Sequence, residues 1–215
     1  MTADTPETLL DETALAATVQ RLAAEITADH PDGVVLVGVL KGALIFLADL
    51  ARALHDIEVE VGFIAISRYA PDSGRVRILH DVDLDLAGRD VVLVEDLVDT
   101  GLTLGYLVAH LQAQSPRRVD VCTLLDRPAR RILPVAVRYV GAEIPDVFVL
   151  GYGLHRADLY RNVPRVVIAD RETVRTTPDA YVGALYAGLS ASQTPEGAGE
   201  HGATVAVESS PEAPP

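Results

Sequence analysis

The sequence predicts an α/β protein built on a doubly wound, mostly parallel sheet with helices on its faces. Residues 34–39, 91–94 and 119–125 are short apolar runs rich in β-branched side chains, the pattern of strands buried on both faces. The first two each end in a polar loop, and each loop opens a segment with apolar residues at three- and four-residue spacing.

Taken in order, residues 1–10 form a polar lead. Asp11 is placed to cap a helix running to about Asp29, with Leu15, Val19, Leu22, Ala23 and Ile26 on one face. Pro31, Asp32 and Gly33 make a turn into the first buried strand. That strand ends at Leu40-Lys41-Gly42, before a helix carrying Ile45, Phe46, Leu50 and Leu54. Residues 57–66 alternate and then turn apolar, as a strand would, and the Pro- and Gly-containing stretch 67–75 is a loop. Residues 76–79 and 90–94 flank an acidic connection whose alternate aspartates lack the Gly and terminal Glu of a Ca²⁺ loop. Short strands are expected at 138–140, 147–150 and 166–169, and an added helix at 178–189. From Ser190 onward the chain is rich in Gly, Pro, Ser, Glu and Ala without Lys or Arg, too poor in large apolar groups to offset the entropy of ordering. One domain over 1–189 and a disordered acidic tail over 190–215 are expected.

Composition narrows the function. Of 215 residues 49% are hydrophobic, enough for one good core, and the net charge of −13 argues against a broad nucleic-acid-binding surface. It leaves room for a small basic pocket that holds a polyanionic ligand. The single cysteine, Cys122, excludes an internal disulfide and reads as a small core residue. With no secretory signal and no long apolar run, a soluble cytoplasmic protein without membrane contact is expected.

The chemistry concentrates in residues 91–104, VVLVEDLVDTGLTL. Backbone N–H groups from about Asp99 to Thr103 stand at a helix start, where unpaired donors and the helix dipole make a phosphate seat. Gly101 lets the backbone approach, and the Thr100 and Thr103 hydroxyls add donors. Glu95 and Asp96 are acceptors suited to ribose hydroxyls or to Mg²⁺-bound water, and Asp99 is placed to take a proton from a base bound above the ribose.

This run resembles the phosphoribosyl-diphosphate (PRPP) signature of type I phosphoribosyltransferases, and EDLVDTGLTL resembles most the hypoxanthine-guanine branch. The resemblance covers about residues 9–168. It implies a core sheet flanked by helices, with a small hood from the N- and C-terminal parts. It gives the ribose hydroxyls to Glu95 and Asp96, purine N7 to Asp99 as the catalytic base, and the 5′-phosphate to Asp99, Thr100, Gly101, Leu102 and Thr103. Lys41 and Gly42 match the diphosphate loop, often built on a strained peptide, and Arg161 matches an arginine on the diphosphate. Phe148 matches the aromatic that stacks on the purine, and Val149 the residue whose backbone reads the base edge. Tyr69 matches the tyrosine of a flap that closes over the reacting centre.

Three positions depart from the family pattern. Arg68 stands where the flap serine is usual. Arg127 replaces the lysine that donates to the purine 6-oxo group. His155 replaces an aspartate that serves Mg²⁺. The resemblance implies an Mg²⁺-dependent enzyme of purine salvage, a homodimer or homotetramer. It moves 5-phosphoribose from PRPP to hypoxanthine or guanine, releasing diphosphate. The departures motivate a second reading, transfer to a different heterocyclic base. A third, a PRPP-sensing regulator that binds nucleic acid, is disfavoured by the acidic charge.

Overall fold

The computed structural model describes residues 5–67 and 77–191, with side chains to 186. The flap residues Arg68 and Tyr69, and the expected tail beyond its first two residues, lie outside the described residues. Among the described residues, nine strands and five helices follow one another as β1 (Glu7–Leu10), α1 (Glu12–Asp29), β2 (Val34–Leu40), α2 (Leu44–Ala53), β3 (Val59–Ser67), β4 (Arg77–His80), β5 (Asp90–Val98), α3 (Leu102–Gln112), β6 (Arg118–Asp126), β7 (Tyr139–Glu143), β8 (Phe148–Leu150), β9 (Val166–Ala169), α4 (Arg171–Thr176) and α5 (Val182–Ala191). A 3-10 turn, Pro128–Arg130, follows β6.

The main sheet has the order β4-β3-β2-β5-β6-β7. Its strands are parallel except for β4, which pairs antiparallel at the edge. Alternation along the central strands divides the core in two. Val34, Leu36, Val92, Val94, Cys122 and Leu124 face the apolar sides of α1 and α2. Val35, Val37, Val39, Val91, Leu93 and Val121 face Leu104, Leu107 and Leu111 of α3. Each such side chain, fully buried, contributes roughly 1.5–3 kcal/mol of transfer free energy. The buried face of α1 is the expected one, and Asp11 caps that helix by accepting from Ala14 N at 2.8 Å. Cys122 is fully buried, and the apolar surroundings push its thiol pKa above the ordinary value, as suits a packing residue.

A second sheet, β1-β9-β8, forms the hood over the C-terminal edge of the main sheet. It has its own core of Leu150, Tyr160, Val163, Val167, Val174, Tyr181 and Leu185. Here the structure departs from the sequence reading. The expected polar lead contains strand β1, whose half-exposed residues carry no alternation signal; antiparallel pairing with β9 makes it a strand. Helix α4 was also not expected; Asp170 caps it, accepting from Thr173 N at 2.7 Å. Strand β5 runs on to Val98, so Glu95 and Asp96 belong to the strand rather than to a loop, and Glu95 is in register with Thr123 of β6.

At the opposite, N-terminal edge of the sheet lies a partly buried ionic network. Asp90 accepts a two-pronged bond from Arg117, at 2.7 Å from Nε and 2.8 Å from Nη2. The buried His30 ring lies 3.1 Å from Asp90 and 3.2 Å from the Tyr139 hydroxyl. The Arg117 hydrogen bond, helped by His30 and opposed by burial, holds the Asp90 carboxyl at about 2, below its ordinary 3.8. A depressed carboxyl pKa adds stability that is present above the ordinary value and is lost as pH falls through about 2. The shift corresponds to about 2 kcal/mol at neutral pH. Asp90→Asn should therefore lower the melting temperature at pH 7, and the gap to wild type should close as the pH is taken down through the acid limb of a melting series.

Candidate active site

Strands β2 and β5 are neighbours, yet the chain leaves them in opposite directions, toward β3 on one side and β6 on the other. Such a switch point opens a crevice at the C-terminal ends of the strands, where open α/β sheets bind ligands. A cleft of about 840 Å³ lies there. Its walls hold every candidate named from the sequence apart from the flap pair: Lys41, Gly42, Glu95, Asp96, Asp99 to Thr103, Arg127, Phe148, Val149, His155 and Arg161. These come from five separate segments of the chain, up to 120 residues apart, as Lys41 and Arg161 are.

One wall is the turn from β5 into α3. Gly101 sits at φ 81°, in the left-handed region where a side chain is strained, and its Cα packs on the Leu133 carbonyl. No side chain caps α3; Leu102 N has only a long contact of 3.4 Å to Thr100 Oγ1. An uncapped first turn aims its donors and the positive end of its dipole into the cleft. The segment after the 3-10 turn holds this loop from behind. Ile132 N and Leu133 N both donate to Thr100 O, at 2.9 and 3.0 Å, and Arg131 Nε donates to Asp99 O at 3.1 Å. Arg131 also pairs with the Asp126 carboxylate at the end of β6.

The floor is the meeting of β2 and β5. Glu95 and Asp96 are buried carboxylates, 4% and 8% exposed. Asp96 Oδ1 accepts from Leu97 N at 2.8 Å, while its other oxygen presses on Gly42, where a Cβ would occupy the same space. The Leu40–Lys41 peptide bond is cis. On the loop that packs against Gly42, Arg161 Nη1 donates to Gly153 O at 2.7 Å and Nη2 to Asp158 Oδ1 at 2.9 Å. Tyr152 fastens this loop to α2 by donating to Asp49 at 2.6 Å. His155 is half-exposed, and its Nδ1 accepts from Asp158 N at 3.1 Å.

The far end joins the core to the hood. Asp99 Oδ1 is buried without a hydrogen bond, 3.5 Å from Arg127 Nη1 and 3.4 Å from Arg130 Nε. Arg127 is 3% exposed and donates from Nη2 to the Val147 carbonyl at 2.6 Å. Burial pushes the Arg127 pKa below its ordinary value, opposed by the Asp99 charge. Half-buried Phe148 and the buried Val149 follow on β8.

Sequence reading missed Arg130, Arg131 and Asp158. Arg130 joins Asp99 to Asp146, 3.8 Å away in the turn before β8. The basic run Arg127, Arg130, Arg131 after β6 was the available signal for the first two. Arg131→Ala should cost roughly 1–3 kcal/mol of stability, because the Asp126 carboxylate and the Asp99 carbonyl both lose their donor. Ribose 5-phosphate titrated by calorimetry should also bind it several-fold more weakly, and unchanged binding would show that the loop holds its shape without the clamp.

Comparison with known proteins bears on this geometry. A model of the phosphoribosyl transferase domain matches residues 6–157. The hypoxanthine-guanine phosphoribosyltransferase of Bacillus subtilis is 40% identical over 167 residues, covering 76% of this chain and 92% of that protein. The hypoxanthine phosphoribosyltransferase of Escherichia coli is 38% identical over 175 residues, covering 77% and 98%. Among solved structures, a Bacillus anthracis hypoxanthine-guanine phosphoribosyltransferase superposes with a TM-score of 0.74 at 38% identity, over 78% of this chain and all (100%) of that one. The Trypanosoma cruzi hypoxanthine phosphoribosyltransferase, solved in complex with its product IMP, gives a TM-score of 0.74 at 36% identity, over 79% and 97%. Sheet order, switch-point cleft and relatives agree, and the chain belongs to the phosphoribosyltransferase family, in its hypoxanthine-guanine branch.

Proposed function

We propose that this protein transfers 5-phosphoribose from PRPP to a 6-oxopurine, hypoxanthine or guanine, in purine salvage, releasing diphosphate. The observation that carries the reading is the pairing of two subsites in one cleft. An uncapped helix start faces buried carboxylates at one end, and a carboxylate beside a buried guanidinium lies at the other. The first suits a phosphorylated ribose. The second offers an acceptor, Asp99, next to a donor, Arg127, and a 6-oxopurine presents the matching N7–H and O6 on one edge. The names of the relatives, and the IMP bound by the Trypanosoma cruzi enzyme, support the same substrate class.

In this reading the bond from ribose C1 to the diphosphate oxygen breaks as purine N9 attacks. Negative charge gathers on the diphosphate, and Lys41, Arg161 and the backbone donors of the Lys41–Gly42 loop stabilise it. Asp99 accepts the N7 proton, Arg127 donates to O6, and Phe148 stacks on the ring. Glu95 and Asp96 accept from the ribose hydroxyls.

Mg²⁺ is part of the proposal, since it neutralises charge on the departing diphosphate. The donor set fits a hard ion held mainly by its ligand. Among the described residues no group of three or more His, Cys, Asp or Glu side chains forms a cage for a metal, and Glu95 and Asp96 are the carboxylates that would help hold the ion, through water. His155 offers an imidazole where an aspartate would offer a carboxylate, and its Nδ1 already accepts from Asp158 N. No helix among the described residues is long and apolar enough to cross a membrane, and a cytoplasmic setting is part of the same proposal.

Arg127 favours a second reading, transfer to another heterocycle, because its guanidinium is a planar fork where a lysine would be a point donor. Turnover of a panel of purine and pyrimidine bases with PRPP and Mg²⁺ separates the two. Hypoxanthine or guanine should be preferred; preference for a different ring would select the second. Asp99→Asn should bind PRPP normally and lose about 10²–10⁴-fold in turnover, the usual cost of removing a general base. Near wild-type turnover in that variant would remove Asp99 from the role.

A further inference from the structure

The cations assigned to the diphosphate already face an anion. A single oxygen, Asp158 Oδ1, lies 2.9 Å from Arg161 Nη2 and 3.6 Å from Lys41 Nζ, with His155 Nδ1 at 4.0 Å. Lys41 and Arg161 both line the cleft, on loops that pack together at Gly42 and Gly153, and Asp158 bridges the two cations. The backbone turns the carboxylate inward. Ala157 and Asp158 both have positive φ, at 50° and 60°, in a tight reversal closed by Leu159 N donating to Arg156 O at 3.0 Å. Asp158 N binds His155, which holds the reversal in place. The Arg161 Nε is buried without a hydrogen-bond partner, a donor in reserve at the same place.

We propose that Asp158 is a built-in counter-ion of the diphosphate subsite, which holds Lys41 and Arg161 in the free protein and competes with diphosphate for them. The proposal rests on the reading of those two cations as diphosphate ligands. Bonding to Arg161, and then the charge of Lys41, lowers the Asp158 carboxyl pKa, so it is ionised at neutral pH. The pair with Lys41 is exposed on both sides, 69% and 63%, and exposed pairs are weak and easily exchanged. A diphosphate carries more charge than one carboxylate and displaces it. Asp158 then stands as a like charge beside the departing product, which speeds release at the expense of affinity.

The test is calorimetric titration of inorganic diphosphate, at fixed excess Mg²⁺, into wild type, Asp158→Asn and Asp158→Glu. Asn tolerates the left-handed backbone at this position, and Asp158→Gly serves as a second neutral variant. Asp158→Asn and Asp158→Gly should bind diphosphate about three- to tenfold more tightly than wild type, with the gap narrowing at high KCl. Asp158→Glu, which keeps the charge, should stay near wild type. Equal binding in neutral variants with unchanged melting curves overturns the proposal, since the carboxylate would then be a bystander. Weaker binding overturns it in the other direction, making Asp158 a positioning residue for the cations. Diphosphate failing to bind any of the proteins, wild type included, would overturn the subsite reading itself.

Discussion

The parallel pairing of β2 with β5 governs the rest of the molecule, because it brings two strand ends together whose chains then part. At that point the Asp96 carboxylate presses directly on the Gly42 backbone, a contact that only the missing Cβ permits. Around it the loop after β2 and the turn into α3 diverge and leave the cleft. Both strands are buried over nearly their whole length, so layers of Val and Leu from the two half-cores hold the register. Displacing either strand by one residue would turn its core face to the wrong layer. The site is thus placed with the same stringency as the core.

Charge is organised around this cleft. The protein carries a net −13, yet the cleft and its rim hold Lys41, Arg127, Arg130 and Arg161. Each of the four has an internal carboxylate within ion-pair distance: Asp158 for Lys41 and Arg161, and Asp99 for Arg127 and Arg130. Cations gathered in one cleft repel one another, and the nearby acids offset that repulsion. The two acids differ in depth. Asp99 holds a buried oxygen between two guanidinium groups, whereas Asp158 is exposed to solvent.

Stability and chemistry occupy opposite edges of the sheet. The His30, Asp90, Arg117 and Tyr139 network ties the end of α1 to the starts of β5, β6 and β7, far from the cleft. The other edge carries the cleft. There the segment of residues 127–133 braces the turn into α3 through Arg131 and two backbone amides.

By itself the sequence determined the alternation of buried strands and helices, the apolar face of α1, and the turn from β5 into α3. Each is local: β-branched runs, helical spacing, and a Thr-Gly-x-Thr turn after adjoining acids state their conformation within a few residues. Lys41, Phe148 and Arg161 were legible only through resemblance, since a lysine before a helix or a phenylalanine in a strand has no local meaning of its own. Tertiary structure alone decided the remainder. Strand β1 exists because β9 offers its edge, since its own four residues lack the alternation to specify it. Glu95 and Asp96 are buried in a strand because β6 continues alongside them. Arg130, Arg131 and Asp158 acquire partners from distant segments or from an unusual turn, and such pairings depend on how the chain crosses over, which no window of sequence contains.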